Sequence, residues 1–184
     1  MIEIRPLLKL DTGDIEQVIS EHTTQECYRV SYADSDEHTS IELQLVPLNE
    51  PHTAKYTHFD DETMQRYNGV LKEGYSFGAF EGEELAGFII AEARSWNDSV
   101  WVWEYHVAGA RRGQGIGKRL METVAEKAKT AGLRTIVCET QNTNVSAIKV
   151  YRKLGFRVEG IDISYYTNHD YPDRDVAVFM KKRL

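Results

Sequence analysis

The 184-residue chain is poor in cysteine: Cys27 and Cys138 form neither a CxxC pair nor part of a Cys/His cluster. A disulfide framework and a structural zinc site are therefore not expected, and Cys138, in an apolar stretch, is most simply a core residue. His38, His52 and His58 fall in polar stretches without the spacing of metal ligands. We predict no metal site.

The sequence also lacks an apolar run of the roughly 20 residues that a transmembrane helix needs, and residues 1–5 read as a strand rather than a signal peptide. It lacks an excess of basic charge, because 22 Lys and Arg stand against 29 Asp and Glu, for a net charge of -7. A nucleic-acid-binding protein normally has a basic face, whereas an acidic protein attracts a cationic partner more easily. We expect a cytoplasmic protein with no membrane and no nucleic-acid partner.

The remaining composition, 41% hydrophobic and 28% charged, is that of an ordinary folded chain and suits one domain over residues 1–184. A strand at 41–45 is expected between two loops, the polar stretch 31–40 and the segment bounded by Pro47 and Pro51. Later strands are predicted at 75–80, 85–93, 100–108, 133–139, 156–159, 161–166 and 176–181. The first three of these form an antiparallel meander, and two amphipathic helices follow. The order of elements predicts a mixed α/β (α+β) fold.

A glycine-rich run between a predicted strand and a predicted helix contains Arg112, Gly113, Gln114, Gly115, Ile116, Gly117 and Lys118. The first turn of a helix has backbone N–H groups without intrahelical partners and partial positive charge, so an anion binds there. Glycines let a phosphate approach the backbone closely, and Arg111, Arg112 and Lys118 add mobile charge. The run fits neither a Walker motif nor the dinucleotide fingerprint. It predicts a site for another phosphate-bearing ligand, although such a junction also serves merely to turn a chain.

Two motifs resemble those of one superfamily. The acetyl-coenzyme A (acetyl-CoA) pyrophosphate loop of the GNAT N-acetyltransferases is similar to Val107-x-Gly109-x-x-Arg112-Gly113-x-Gly115-x-Gly117. A second GNAT motif is similar to Asn144-x-x-Ala147-x-x-x-Tyr151-x-Lys153-x-Gly155-Phe156. Gly109 departs from the pattern, because many members have proline before the loop, and this affects the entry turn.

The resemblance implies a twisted, mostly antiparallel central sheet with flanking helices, splayed where acetyl-CoA binds as co-substrate. The cofactor-binding residues that it implies are Tyr105, His106, Val107, Arg112, Gly113, Gln114, Gly115, Ile116, Gly117, Lys118, Asn144, Ala147 and Tyr151. Asn144 could equally cap its helix, a role that needs no cofactor.

The superfamily's reaction is direct attack of an amine on the acetyl thioester, so a base must accept a proton from the amine. Glu104, on the strand before the glycine loop, is the first candidate. Alternation along a strand puts Val102, Glu104 and His106 on one face and Trp101, Trp103 and Tyr105 on the other, so His106 is the second candidate. Glu139 or a water molecule could also serve. Glu104 could instead be a carboxylate that faces water or pairs with a lysine.

The departing thiolate needs a proton, and the resemblance gives this role to Tyr151. Its alternative role is packing, because Tyr151 completes an apolar helical face with Ile148.

A closer likeness, to streptothricin acetyltransferases, rests on residues 138–144, 158–168 and 177–179. It implies a small cationic amine substrate, the β-lysine part of streptothricin. The residues expected to bind it are Glu139, Trp103, Asp162 and Tyr165, with Trp96, Trp101 and Tyr166 as further aromatic candidates. The alternatives are another amine, such as a polyamine, an aminoglycoside or a protein N-terminus, or a non-catalytic acetyl-CoA sensor. Because many GNAT proteins are dimers, a homodimer stays open.

Overall fold

The computed structural model describes residues 1–19, 21–54 and 59–184, so His58 lies outside the described residues. The chain forms two compact units, each assembled from separate stretches of sequence. The first unit comprises Met1–Glu21, Lys55–Val137 and Arg183–Leu184, and the second comprises His22–Ala54 and Cys138–Lys182. One domain over the whole chain stays a prediction.

The first unit contains four antiparallel strands. They are β1 (Ile2–Pro6), β4 (Phe77–Glu81), β5 (Glu84–Arg94) and β6 (Ser99–Val107), and they lie side by side in that order. Seven consecutive residues of β5, from 85 to 91, are buried, which is the pattern of a strand covered on both faces. The meander predicted from residue 75 onward is confirmed.

Three helices belong to the same unit. Helix α1 (Thr12–Val18) begins with a capping box between Asp11 and Asp14, and α2 (Asp61–Val70) is capped by Asp60. A 3-10 turn follows α2 and ends at Gly74, whose φ of 78° favours glycine. The third helix, α3 (Ile116–Thr130), buries the face that its periodicity predicts, at Ile116, Leu120, Met121, Val124, Ala125 and Ala128. The core cluster of α1, α2 and β5 includes Leu10, Ile15, Tyr67, Phe88 and Ile90.

The second unit begins with a hairpin of β2 (His22–Asp34) and β3 (Thr39–Ala54). Strand β7 (Thr135–Gln141) enters this unit at Cys138 and leads to α4 (Val145–Lys153). The last strands are β8 (Arg157–Asp162) and β9 (Ala177–Arg183), which are antiparallel. Strand β9 lies between β7 and β8.

The loop predicted over residues 31–40 is wrong for most of its length, whereas the stretch predicted as a loop between Pro47 and Pro51 interrupts the pairing within β3. Residue 34 pairs with residue 39, so only a four-residue connection separates β2 from β3. Ser35 and His38 close this turn, because the Ser35 N–H donates to the His38 carbonyl at 2.9 Å. The two prolines lie within β3, but residues 48–51 have no partners in β2, because Glu26 pairs with Pro47 and Thr24 with His52. An interruption of the ladder accommodates residues that lack an N–H donor. In the 31–40 stretch, cross-strand pairing overrides the weak strand propensity of the polar residues.

The strand predicted at 161–166 is also wrong in its extent. Strand β8 ends at Asp162, whose Oδ1 accepts hydrogen bonds from the Ser164 N–H at 3.0 Å and the Ser164 hydroxyl at 3.4 Å. Aspartate used in this way starts a turn, so the chain leaves the sheet four residues earlier than its aromatic content indicates.

The predicted fold class is confirmed as a mixed α/β fold with mostly antiparallel strands and flanking helices. In the parts of the chain that the structure describes, no helix has the length and apolar content needed to cross a membrane.

Candidate active site

The glycine loop before α3 adopts backbone conformations that glycine favours. Gly113 has φ 77° and Gly115 has φ 78°, both in the left-handed region. A Cβ built at either position would meet nothing within 4 Å. The backbone at these two positions is therefore strained for other residues and open to a bound group.

Helix α3 presents its N-terminus at the end of this loop. Gly115 is the N-cap, and the Arg119 N–H donates to the Gly115 carbonyl at 3.1 Å. The amides of residues 116–118 precede this hydrogen bond and have no i−4 partner within the helix. The first turn has no acidic residue, and Lys127 and Lys129 lie in the last turn. A 15-residue helix of this kind favours an anion at its start.

Arg111 and Arg112 have close partners, so the expectation of mobile charge is wrong for these two, whereas Lys118 is 66% exposed. The Arg111 guanidinium contacts the Glu81 carboxylate at 2.5 Å, and Lys118 lies 3.7 Å from Glu122. Nε of Arg112 donates to the Val107 carbonyl at 3.2 Å. Arg112 therefore joins the end of β6 to the loop. Gln114 also folds back, donating to the Ala110 carbonyl at 3.4 Å.

Gly117 has a different reason to be glycine. A Cβ at this position would lie 2.5 Å from the hydroxyl oxygen of Tyr105 and 3.2 Å from the ring carbon that bears it. Tyr105, on β6, therefore packs directly on the first turn of α3. The requirement for glycine at 117 comes from this contact between two elements, which the loop pattern did not predict.

Glu104 on β6 is a buried carboxylate, with 7% of the residue exposed. Its Oε1 accepts a hydrogen bond from the Tyr67 hydroxyl at 2.6 Å, and its Oε2 lies 2.7 Å from Nε2 of His106. Glu104 and His106 thus share a face, as alternation predicts, and the alternative of a carboxylate facing water is wrong. A buried, hydrogen-bonded carboxylate of this kind is typical of functional sites.

The alternation prediction is wrong before Glu104: Val102 does not share the face of Glu104, and neither Trp101 nor Trp103 shares the face of Tyr105. Ile90 is opposite Glu104 and Ala91 is opposite Val102, which leaves Trp103 as the extra residue of a β-bulge. A bulge interrupts the period of two, so Trp103 points toward α2 together with Glu104 instead of alternating with it.

The faces of the Trp103 ring are close to basic groups of the protein itself. The guanidinium carbon of Arg66 is 4.6 Å from the ring centroid, and that of Arg94 is 5.5 Å away. The indole N–H donates to Glu92 at 2.8 Å, and the Trp101 ring lies 5.9 Å from the Trp103 ring. A substrate cation at Trp103 would compete with these cation–π contacts.

The backbone of β6 orients two amides away from β5. The Ala108 N–H donates to the Ala86 carbonyl at 3.0 Å, in register with the pairing of His106 and Phe88. Because successive amides of a strand point to opposite edges, the N–H groups of Tyr105 and Val107 point to the other edge.

In the second unit, the predicted capping role of Asn144 is present. It is the N-cap of α4, and its Oδ1 accepts from the Ala147 N–H at 3.1 Å and from the Ser146 hydroxyl at 3.0 Å. This cap fixes the start of α4, the helix that carries Tyr151.

Tyr151 is buried in α4 and packs on Phe156, with the ring centroids 5.5 Å apart. Burial raises the pKa of the Cys138 thiol above its usual range, against the opposing effect of a hydrogen bond with Tyr151. Tyr151 therefore combines the packing role with a polar contact at its hydroxyl.

Among the predicted substrate-binding residues of the second unit, Glu139 and Tyr165 both contact Tyr166, whereas Asp162 lies in the turn after β8. The Tyr166 hydroxyl donates to Oε1 of Glu139, and burial, followed by the Glu139 charge, raises the pKa of Tyr166. Tyr165 is 44% exposed, and its ring lies 5.3 Å from Phe179 and 5.3 Å from Tyr166. Asp162 caps the turn after β8, so at least one of its carboxylate oxygens has a structural role.

A family model described as the GNAT acetyltransferase family matches residues 21–156, about three quarters of the chain. The chain belongs to the GNAT acetyltransferase family. The glycine loop and α4, which carry the two motifs, both lie inside the matched segment.

Among the relatives of this GNAT protein is a streptothricin acetyltransferase of Streptomyces lavendulae, 36% identical over 83 residues. The match covers 45% of this chain and 44% of the relative, so the chain spans less than half the length of that relative.

Two solved structures resemble the GNAT protein over nearly its whole length. The nourseothricin acetyltransferase is 26% identical with a TM-score of 0.74, covering 99% of this chain and 98% of the other. The second structure is a Bacillus anthracis str. Ames protein, provisionally assigned as a streptothricin acetyltransferase and solved with acetyl coenzyme A. It is 23% identical to this chain with a TM-score of 0.73, and the match covers 100% of this chain and 98% of the other. The likeness to the Bacillus anthracis protein shows a shared fold.

Sequence reasoning missed Tyr67, which contributes one of the Glu104 hydrogen bonds. It precedes Glu104 by 37 positions, on a helix whose pattern identifies it simply as an apolar-face residue. No local motif marks a tyrosine whose hydroxyl reaches a buried carboxylate.

Among the described residues, no group of three His, Cys, Asp or Glu side chains is placed to hold a metal ion.

Proposed function

We propose that the protein is an acetyl-CoA-dependent N-acetyltransferase that acetylates an amine of streptothricin, on its β-lysine moiety, and so confers resistance to the antibiotic. The observation that carries the proposal is the buried Glu104 with its His106 partner, on the strand that leads into the glycine loop. The likeness to the streptothricin acetyltransferase of Streptomyces lavendulae supports the choice of substrate.

The acetyl donor is acetyl-CoA, and the residues of the loop fit it. Gly113 and Gly115 leave open space beside the backbone, and α3 offers its N-terminus to the pyrophosphate. Arg112, Gln114, Ile116, Gly117 and Lys118 complete the loop. The family resemblance adds Asn144 and Ala147, at the start of α4, to the proposed cofactor-binding residues. The backbone amide of Tyr105 or Val107 serves as donor to the carbonyl oxygen on which charge develops.

Glu104 acts as the base for the attacking amine. An ammonium group cannot attack, so its proton passes to the Glu104 carboxylate, directly or through water, and the free amine forms a bond to the acetyl carbon. Burial and the two hydrogen-bonding partners fix the carboxylate in one orientation. His106 and Glu139 are the alternative bases.

Tyr151 acts as the acid. As the carbon–sulfur bond breaks, the sulfur keeps the electron pair and takes a proton from the Tyr151 hydroxyl. The hydroxyl already has a polar neighbour in Cys138, which shows that it is not simply enclosed by apolar groups.

The substrate is a small organic cation. Glu139, a partner of Tyr166, attracts its ammonium groups, and the exposed Tyr165 ring and Asp162 are further substrate-binding residues. Trp103 takes part only if the substrate cation displaces Arg66 or Arg94 from its ring. A net charge of -7 favours association with a cation. The enzyme acts in the cytoplasm, with neither a nucleic acid nor a membrane as partner, and a homodimer is compatible with the family.

The test is release of coenzyme A thiol from acetyl-CoA, with streptothricin compared with spermidine, an aminoglycoside and a peptide with a free N-terminus. Fast release with streptothricin alone supports the proposal. Release with another amine would keep the assignment as an N-acetyltransferase and change the assigned substrate. Tight acetyl-CoA binding without release for any amine would instead favour a sensor.

A further inference from the structure

The Glu104 carboxylate has a partner on each oxygen, and one of them comes from a distant helix. Tyr67, on α2, donates to Oε1, while His106, on the same strand as Glu104, contacts Oε2. Tyr67 and Glu104 are 2% and 7% exposed. The two contacts are therefore made where water competes weakly, and each restricts the rotation of the carboxylate.

Tyr67 is itself held rigidly. Its ring belongs to the core cluster of α1, α2 and β5 and lies 6.4 Å from the Phe59 ring. The next residue, Asn68, accepts from the Leu10 N–H at 3.2 Å and donates to the Leu10 carbonyl at 3.0 Å. Helix α2 is thus fixed against the segment before α1, and the Tyr67 hydroxyl is presented to Glu104 at a constant position.

We propose that Tyr67 is a positioning residue for the catalytic base: its hydroxyl holds Oε1 of Glu104, which fixes the orientation of the carboxylate and leaves the Oε2 side, next to His106, to exchange the proton of the amine. This inference rests on the proposed function, because it assigns Tyr67 a part in the same reaction.

The groups that face Glu104 support this division of roles. From α2 comes Tyr67, whose ring is contacted by Arg66, with the guanidinium carbon 5.0 Å from the ring centroid. From β6 comes His106, and β5 contributes Phe88 and Ile90, which do not titrate. Burial, and then the Glu104 charge, raise the pKa of the Tyr67 hydroxyl, so it remains a donor throughout the working pH range.

The sign of the expected pH effect follows from the hydrogen bond. A donor to a carboxylate stabilises its ionised form, so the removal of the donor raises the pKa of the carboxyl group. A hydrogen bond to a charged group corresponds to a shift of about one pH unit or more. The acidic limb of the rate profile should therefore move to higher pH when the Tyr67 hydroxyl is removed.

The experiment measures kcat/KM against pH for streptothricin acetylation in Tyr67→Phe. Its matched control is Tyr75→Phe, which loses the same atom from a tyrosine outside this network, whose ring faces Lys127. We expect the acidic limb of Tyr67→Phe to shift upward by about one unit, kcat to fall about tenfold near neutral pH, and the KM for acetyl-CoA to stay unchanged. Tyr75→Phe should match the wild type.

A double-mutant cycle with Glu104→Gln shows whether Tyr67 acts through Glu104. If it does, Tyr67→Phe costs no further activity when Glu104 is already replaced. Superimposable pH profiles of Tyr67→Phe and wild type, together with a low kcat for Glu104→Gln, would overturn the positioning role alone. Wild-type activity in Glu104→Gln would overturn the base itself and the role of Tyr67 with it. If Tyr67→Phe fails to fold, Glu104→Asp is the second variant, because it keeps a carboxylate but withdraws it from the Tyr67 hydroxyl. An acidic limb at the wild-type position in Glu104→Asp would overturn the positioning role.

Discussion

At the residue scale, the candidate site depends on carboxylates that are paired, of which Glu104 is buried and Glu139 is half-buried. Burial of an isolated carboxylate costs several kcal/mol, and hydrogen bonds offset this cost. Glu104 obtains two such contacts from Tyr67 and His106, and Glu139 obtains one from Tyr166. With a partner on each oxygen, the Glu104 carboxylate keeps one orientation, which is the property that a base needs.

Tyr151→Phe tests the acid at the same scale. The variant keeps the ring that packs on Phe156 and removes the hydroxyl, so turnover should fall by about 10²–10⁴-fold. Acetyl-CoA affinity should change little, because the substitution preserves the shape of the α4 surface. Stopped-flow turnover and calorimetric binding check both parts. Full turnover in Tyr151→Phe would remove this residue as the acid, and Phe156→Leu is the control for lost packing.

At the element scale, the contact between β6 and the start of α3 connects the candidate catalytic strand to the phosphate loop. Tyr105 occupies the space that a side chain at Gly117 would need, and Arg112 bonds back to the Val107 carbonyl. Movement of β6 and of the loop should therefore be coupled. The loop conformation at Gly113 and Gly115 was predictable from the glycine spacing, whereas this contact was not, because it joins residues of two separate elements.

Gly117→Ala tests that coupling. The new Cβ would lie 2.5 Å from the Tyr105 hydroxyl, so the tyrosine or the helix must move, and both acetyl-CoA affinity and stability should fall. Overpacking of this kind typically costs about 1–3 kcal/mol of unfolding free energy. Tyr105→Phe removes the nearest atom, so the double variant should recover part of both losses. Urea unfolding and acetyl-CoA titration of the four proteins provide the data, and strictly additive losses would refute the contact.

The segment between β8 and β9 is the second element that positions a candidate side chain. Asp170, 2% exposed, accepts from the Tyr166 N–H at 2.7 Å and from the Thr167 hydroxyl at 2.6 Å. Burial acts to raise the Asp170 pKa, but the hydrogen bonds from Thr167 and Tyr166 outweigh it and lower the pKa below its usual value. This carboxylate therefore holds the backbone of Tyr166, the partner of Glu139.

Asp170→Asn should consequently destabilise the protein in a pH-dependent way. A carboxyl group whose pKa is lower in the folded state contributes stability above its unfolded pKa of about 4, and this contribution is lost as pH falls through the folded pKa. The variant should be less stable than the wild type at pH 7 and approach it in strong acid. Urea unfolding from pH 2 to 7 checks this, with the exposed Asp173→Asn as control. A difference independent of pH would show that the ionised form is not what matters.

At the scale of the whole molecule, the sequence predicts the elements with strong periodicity and misses those that depend on pairing. The buried face of α3 follows directly from its apolar spacing. Residues 31–40 contain charged and small polar side chains that favour a loop, yet their pairing across the hairpin makes most of them strand. The bulge at Trp103 likewise depends on its neighbour β5, so strict alternation placed this side chain on the wrong face.

The same limit applies to the candidate site. Glu104, His106 and the glycine loop were predictable because each lies in or next to one motif on one stretch of chain. Tyr67 and Arg66 were not, since they reach β6 from α2 through contacts that span 37 positions in the sequence. The candidate residues also fall in both units, with Glu104 in the first and Glu139 and Tyr151 in the second. Local sequence patterns identify each of these residues separately and do not show which of them lie close together.

The most direct test of the central claim follows the acetyl group itself. The protein is incubated with acetyl-CoA labelled in its acetyl carbon and with streptothricin, and the product is analysed by mass spectrometry and NMR. We predict that the label appears on an amine of the β-lysine moiety, with one coenzyme A thiol released for each acetyl group transferred. Two results would contradict the account. In one, streptothricin stays unlabelled while another amine causes thiol release. In the other, streptothricin stays unlabelled and thiol is released without any amine.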